Sequence, residues 1–130
     1  MEESNLSFCH PNGLIDPGVK VGTGTKVWAF AHLTAGCQVG EDCNICDHTF
    51  VEKGVIIGNR VTLKCGVYLW EGLEVEDDVF IGMNCLILKG VTIGKGSVIG
   101  AGSVVVKNIP SGVIAAGNPA RVIREMTRGE

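Results

Sequence analysis

From Leu14 the hydrophobic positions recur every six residues. Cut in sixes, the chain reads LIDPGV KVGTGT KVWAFA HLTAGC QVGEDC NICDHT FVEKGV IIGNRV TLKCGV YLWEGL EVEDDV FIGMNC LILKGV TIGKGS VIGAGS VVVKNI. The second place is Val, Ile or Leu in all sixteen hexads, ending at Ile109. Chance agreement of that kind is on the order of 10⁻⁹. The sixth place is always small or apolar, and Cys37, Cys43 and Cys85 fall there. Gly holds the third place at 22, 40, 58, 82, 94 and 100, and the fourth and fifth places are mostly polar or Gly.

An α-helix of period 3.6 cannot keep one place in six inside through sixteen cycles, whereas strands bent at a fixed corner can. Places two and six then point inward, and places four and five form the corner, where Gly relieves the backbone. Successive coils pair their backbones with the coils above and below. The prediction is an all-β repeat body over 14–109, with residues 1–13 as an N-terminal arm and 110–130 as a C-terminal extension. In the extension, Asn118 as N-cap and Pro119 at the first helical position predict a short helix to about Met126, covering the last coil.

The pattern [LIV]-[GAED]-x-x-[STAV]-x resembles the hexapeptide repeat of left-handed β-helix transferases. The resemblance implies a left-handed parallel β-helix with three hexads per coil, a triangular prism about 25 Å tall. Residues 18 apart then stack on one face. The face carrying Lys20, Gln38, Ile56, Glu74 and Thr92 is polar and should meet solvent. A second, carrying His32, Phe50, Tyr68, Leu86 and Val104, is apolar, with Trp70, Leu88 and Val106 alongside. The third carries Trp28, Phe80 and Val98. Two apolar outer faces suit a homotrimer in which each subunit offers one face to each neighbour.

Composition narrows the functional classes. A net charge of −3 and a pI near 5.6 give no basic footprint for nucleic acid. No apolar run approaches the roughly 20 residues of a membrane span, and the N-terminus does not read as a signal peptide, so cytoplasm is the expected compartment. Of the six cysteines, Cys43 and Cys46 form one C-x-x-C with no second pair, and the thiols read as reduced apolar fillers. Three histidines at these spacings do not make a three-His zinc site, so no metal is expected; this argues against the carbonic anhydrases that share this fold.

The stretch NICDHTFVEKGVIIGNRVTLKCGVYLWEGLEVEDDVFIG is similar to the core of bacterial N-acetyltransferases of dTDP-linked 3-amino-3,6-dideoxyhexoses. The ending GVTIGKGSVIGAGSVVVKNIPSGVIAAGNPARVI is shared by hexapeptide acyltransferases more broadly. The resemblance implies acetyl transfer from acetyl-CoA to an amino-sugar nucleotide. His48, a fifth-place corner residue beside the apolar face, is the candidate general base. Asp47 could orient it or the substrate. Trp70 as a stacking surface, Glu71 as a hydrogen-bond acceptor, Tyr68 and Glu52 are the candidate sugar-nucleotide contacts. Gly100 and Ala101, through their backbones, with Lys107, Arg121 and Arg124 for the phosphates, are the candidate acetyl-CoA contacts. Each has a plainer reading: His48 and Asp47 as turn residues, Trp70 as interface packing, Glu71 and the basic residues as solvated charge.

One departure from the family bears on function. In these enzymes a loop that closes over the sugar projects after a segment like DDVFIG, and further coils follow. Here FIGMNC runs straight into LILKGVTIG without breaking the count. A non-catalytic trimeric scaffold or binding module is therefore the alternative, and a sugar O-acetyltransferase a variant of the first reading.

Overall fold

The computed structural model describes residues 6–127. Seventeen two-residue strands follow one another at six-residue spacing, from β1 (Phe8–Cys9) to β17 (Val104–Val105). Every third strand pairs in parallel with the next, and the register is 18 throughout: Tyr68 lies beside Phe50 and Leu86, and Thr62 beside Asn44 and Phe80. Three sheets result, of eight, six and five strands. We call them face A (first places Phe8, Lys26, Asn44, Thr62, Phe80, Val98), face B (Leu14, His32, Phe50, Tyr68, Leu86, Val104) and face C (Lys20, Gln38, Ile56, Glu74, Thr92). This is the expected all-β prism of the left-handed β-helix class.

The core is built from the two places expected inside. Every second-place residue from Val27 to Val105 is buried, as is every sixth-place residue from Thr25 to Ile109. The four buried hydroxyls at sixth places are satisfied by the backbone; Thr25 Oγ1, for example, donates to the Gly40 carbonyl at 2.6 Å and accepts from the Cys43 amide. Cys37, Cys43 and Cys85 are 1–2% exposed, acting as small core residues.

The corners share one backbone conformation. All fifteen fifth places from Gly18 to Gly102 have φ between 55° and 92°. Nine are Gly, for which this left-handed conformation carries no Cβ clash; a residue with a Cβ is destabilised there by roughly 1–2 kcal/mol. The six others are Asp42, Asp78, Asn84, His48, Arg60 and Phe30. Asp, Asn and His tolerate this region better than most, and a bulky aromatic is an outlier.

The two ends differ from expectation. The repeat begins at Phe8, since β1 pairs in parallel with the Lys26–Val27 strand, so residues 8–13 form the first hexad rather than an arm; residues 1–5 lie outside the described part. At the other end the count does not stop at Ile109. Ile109 bridges Ile93, 16 residues earlier, so two residues are missing from the period and Ile109 takes a second place on face C. Gly112 (φ 70) supplies the next corner.

The C-terminal helix does not form. β18 (Val113–Gly117) adds to face A beside Val98–Ile99, and β19 (Ala120–Glu125) folds back antiparallel against it. Alternation won over capping: Val113 and Ala115 point inward while Ile114 and Ala116 are less covered. Gly117-Asn118-Pro119, with a cis Asn118–Pro119 peptide, makes the turn. The hairpin thus extends the last coil as strand.

Candidate active site

The prism has three edges, and their amides distinguish them. A fourth-place N–H points out of the corner and needs a partner. On the edge between faces B and C, Asp16 accepts from Ala35 N and Glu52 from Glu71 N. On the C/A edge, Asn59, Asp77 and Glu76 accept from Glu41, Asn59 and Lys95 N. Along the A/B edge, from Ala29 through Asp47, Cys65 and Met83 to Ala101, no side chain among the described residues caps a fourth-place amide. The third-place side chains beside it are Trp28, Cys46, Lys64 and two glycines. A Cβ at Gly82 would stand 2.7 Å from Ala101 N, as one at Gly22 would from Glu41 N on the C/A edge.

His48 stands on this edge. It is exposed, with φ 63°, and its amide donates to the Ala29 carbonyl at 3.2 Å. Its ring stacks on Phe30, one coil earlier, with centroids 5.2 Å apart and planes 16° from parallel. Asp47 is half-buried, and its carbonyl accepts from Gly66 N at 3.0 Å. Ala101 and Gly102 lie on the same edge three coils further on, roughly 14 Å along the axis from His48. Met83, 49% exposed, lies between them, and Phe30, 58% exposed, lies on the far side of His48.

The candidate sugar-nucleotide residues sit elsewhere. Face B runs from the His48 corner, through Phe50, Val51 and Glu52, to the corner at Gly54. Glu52, Trp70 and Glu71 are therefore at the opposite edge of that face from His48. Glu52 is engaged within the chain, accepting from Tyr68 Oη at 2.6 Å and from Glu71 N at 3.0 Å. That hydrogen bond pushes the Tyr68 phenol above its ordinary pKa. Trp70 meets Tyr68 edge-on at 6.4 Å, and Tyr68, Phe50 and His32 continue as an edge-packed ladder up the face. The same clamp recurs two coils earlier, where Asp16 accepts from His32 Nε2 at 2.9 Å and from Ala35 N. His32 is thus a packing and clamping residue.

The candidate acetyl-CoA residues divide as well. Gly100 faces inward as much as outward: its N–H donates to Ala115, its carbonyl accepts from Ser103 Oγ and Cys85 Sγ, and Ala116 stands over it. Ala101 is exposed at the A/B edge. Arg121 and Arg124 are exposed on β19, at the outer border of face A. Lys107 is exposed on the B/C edge, one face away from Ala101.

Phe30 was legible in the sequence and missed by the reading of motifs. It is the one large apolar side chain among fifth places otherwise filled by Gly, Asp, Asn, Arg and His. The histidines do not gather within the chain: His10 lies on face A and accepts from Asn12 N, His32 is clamped on face B, and His48 is at the edge. Among the described residues no group of three or more His, Cys, Asp and Glu is placed to hold a metal ion.

Known proteins resemble the chain along the repeat. Residues 72–107 match the family described as bacterial transferase hexapeptide (six repeats), and 36–70 match the hexapeptide repeat of succinyl-transferase. Gamma carbonic anhydrase 2, mitochondrial, from Arabidopsis thaliana is 33% identical over 95% of this chain and 49% of its own length. A 2,3,4,5-tetrahydropyridine-2,6-dicarboxylate N-acetyltransferase of Clostridium perfringens is 60% identical over 40% of this chain and 22% of its own. The chain thus spans half or less of these relatives. Among solved structures, the acetyltransferase domain of PglB from Neisseria gonorrhoeae FA1090, in complex with acetyl coenzyme A, superposes with a TM-score of 0.89 at 26% identity, over 92% of this chain and 58% of that one. PerB from Caulobacter crescentus, in complex with CoA and GDP-perosamine, gives 0.71 at 28%, over 91% and 57%.

Proposed function

Because the chain belongs to the hexapeptide-repeat family of left-handed β-helices, we propose that it is an acetyl-CoA-dependent N-acetyltransferase acting on an amino-sugar nucleotide of the dTDP-3-amino-3,6-dideoxyhexose type. The observation that carries this is the A/B edge. It alone joins an outward histidine, a column of uncapped amides and an apolar lining. An extended pantetheine arm has the amide and carbonyl groups to pair with such a column. With its phosphates toward Arg121 and Arg124, the arm would run from Ala101 back toward His48.

At that point the chemistry needs a base. His48 accepts a proton from the acceptor's amino group as its nitrogen bonds to the acetyl carbonyl carbon. The carbon–sulfur bond then breaks, and the proton passes to the departing thiolate, so the products are the amide and free CoA. An uncapped edge amide would stabilise the oxyanion meanwhile. Asp47, adjacent in the chain, orients the acceptor.

Glu52, Trp70 and Glu71 stand at the other edge of face B from the same subunit's His48, and Tyr68 is tied to Glu52. In a homotrimer, face B of one subunit meets the A/B edge of its neighbour, and these residues then line the sugar end of a shared site. The full-length relatives named for N-acetyl transfer and the CoA-bound structural neighbours support this reading; so do two apolar outer faces. Six cysteines without a disulfide suit a reducing compartment, and we place the protein in the cytoplasm.

The test is acetyl-CoA-dependent thiol release with a dTDP-3-amino sugar, read against the 3-hydroxy sugar. Saturable release with the amine alone supports the proposal. Release with the hydroxyl sugar reassigns the protein to O-acetylation. No acetyl-CoA binding at tenfold excess leaves the scaffold reading.

A further inference from the structure

Phe30 occupies a corner where nine of fifteen equivalent residues are Gly, and its φ of 63° is one that a bulky aromatic rarely adopts. The ring does not go inward to compensate, since Phe30 is 58% exposed. It is not needed for coil pairing either: its amide donates to the Asn12 carbonyl at 2.8 Å, a backbone bond any residue makes. What its ring does contact is His48, nearly parallel at 5.2 Å. Among the described residues, no side chain hydrogen-bonds to the His48 ring. Strain of this kind persists at sites where the side chain has a use.

We propose that Phe30 is a positioning residue for His48, held at a strained corner because its ring fixes the orientation of the imidazole on the A/B edge. The exposed corner leaves the imidazole free to turn about its side-chain bonds. A flat apolar neighbour one coil below removes the orientations that cut through it and leaves those with the ring stacked. The imidazole nitrogens are then held in a plane nearly parallel to the Phe30 ring. This rests on the reading of His48 as the base, and it adds the residue that aims it.

The experiment combines Phe30→Gly, Phe30→Tyr and His48→Asn. Phe30→Gly places the preferred residue at the corner, so the melting temperature should rise by about 4 °C, while kcat for thiol release falls about tenfold with KM unchanged. Phe30→Tyr, which keeps the stack, should retain wild-type kcat. In the His48→Asn background, Phe30→Gly should change kcat no further, because its effect passes through the imidazole. Proton NMR reads the stack directly: the His48 ring protons should be shifted upfield in the wild type and move downfield in Phe30→Gly.

A wild-type chain with no turnover would remove the acyltransferase reading, and the NMR shift would still decide whether Phe30 orders His48. Unchanged His48 ring signals in Phe30→Gly would overturn the inference. So would a Phe30→Gly protein that loses its oligomeric state by light scattering, since Phe30 would then be an interface anchor.

Discussion

At the scale of single residues, the corner conformation explains much of what His48 can do. The left-handed backbone turns its side chain out of the prism and away from the core. His48→Asn keeps a residue that tolerates this φ, so the fold should survive with an unchanged melting curve. If His48 is the base, kcat should fall by roughly 10²–10⁴-fold, typical of losing general-base catalysis, in a steady-state thiol-release assay.

The cysteines give a second test at this scale. Cys9 and Cys65 are exposed, and the other four are buried. Burial pushes the Cys37 thiol up to about 11, so almost none of it is thiolate at neutral pH. A native thiol titration with DTNB should therefore count two fast groups. The remaining four should react only after unfolding.

At the scale of elements, each coil depends on its inward pair of places. Leu63 and Ile57 are 0% and 2% exposed. Leu63→Asp buries a carboxylate with no partner and should abolish folding, read as loss of the strand signal in circular dichroism. Leu63→Ala should cost about 2–5 kcal/mol in a urea melt.

The Asp16 clamp adds a pH dependence. Its hydrogen bond to His32, then the one from Ala35 N–H, holds the Asp16 carboxyl below its ordinary value. A carboxyl depressed on folding stabilises at pH above its unfolded value, and that support is lost as pH falls through the lower folded value. The melting-temperature gap between wild type and Asp16→Asn should thus be open at pH 7 and close in strong acid. Asp16 is at the surface, so the gap is small.

The elements also show what a sequence can and cannot disclose here. Places two and six are an inside–outside code, which makes the coils, faces and register readable from Val, Ile and Leu alone. The ends escaped because there the rule changes. Phe8–Gly13 keeps the period but puts Cys9 at the second place, and two residues drop out before Ile109. In the last segment Asn118–Pro119 carries a helix-start signal, while Gly117 before it and the alternation of Val113 and Ala115 favour a hairpin; open strand edges above the last coil decide for the hairpin. At the site, His48 was legible as an outward corner residue. The engagement of Glu52 by Tyr68 was not, because it depends on side-chain reach between coils. Nor was the separation of Trp70 from the His48 corner, because stacking by eighteen gives the face but not the distance across it.

At the scale of the whole molecule, the proposed trimer would set Glu52, Trp70 and Glu71, on the B/C edge of one subunit, against the A/B edge of its neighbour. Light scattering should give three times the 13.7 kDa chain mass. Tyr68→Lys would place a charge in the middle of the face B ladder and should reduce that mass to the monomer's, with turnover lost alongside. A monomeric wild type that still turns over would place the whole site on one subunit.

In the proposed site, acetyl-CoA lies along the A/B edge with its sulfur at His48. A crystal structure soaked with CoA measures this directly. The expected result is the pantetheine arm against the amides between Ala101 and Cys65, and the sulfur within a few ångströms of the His48 ring. CoA bound along either of the other two edges, or with its sulfur a coil or more away from His48, would contradict it.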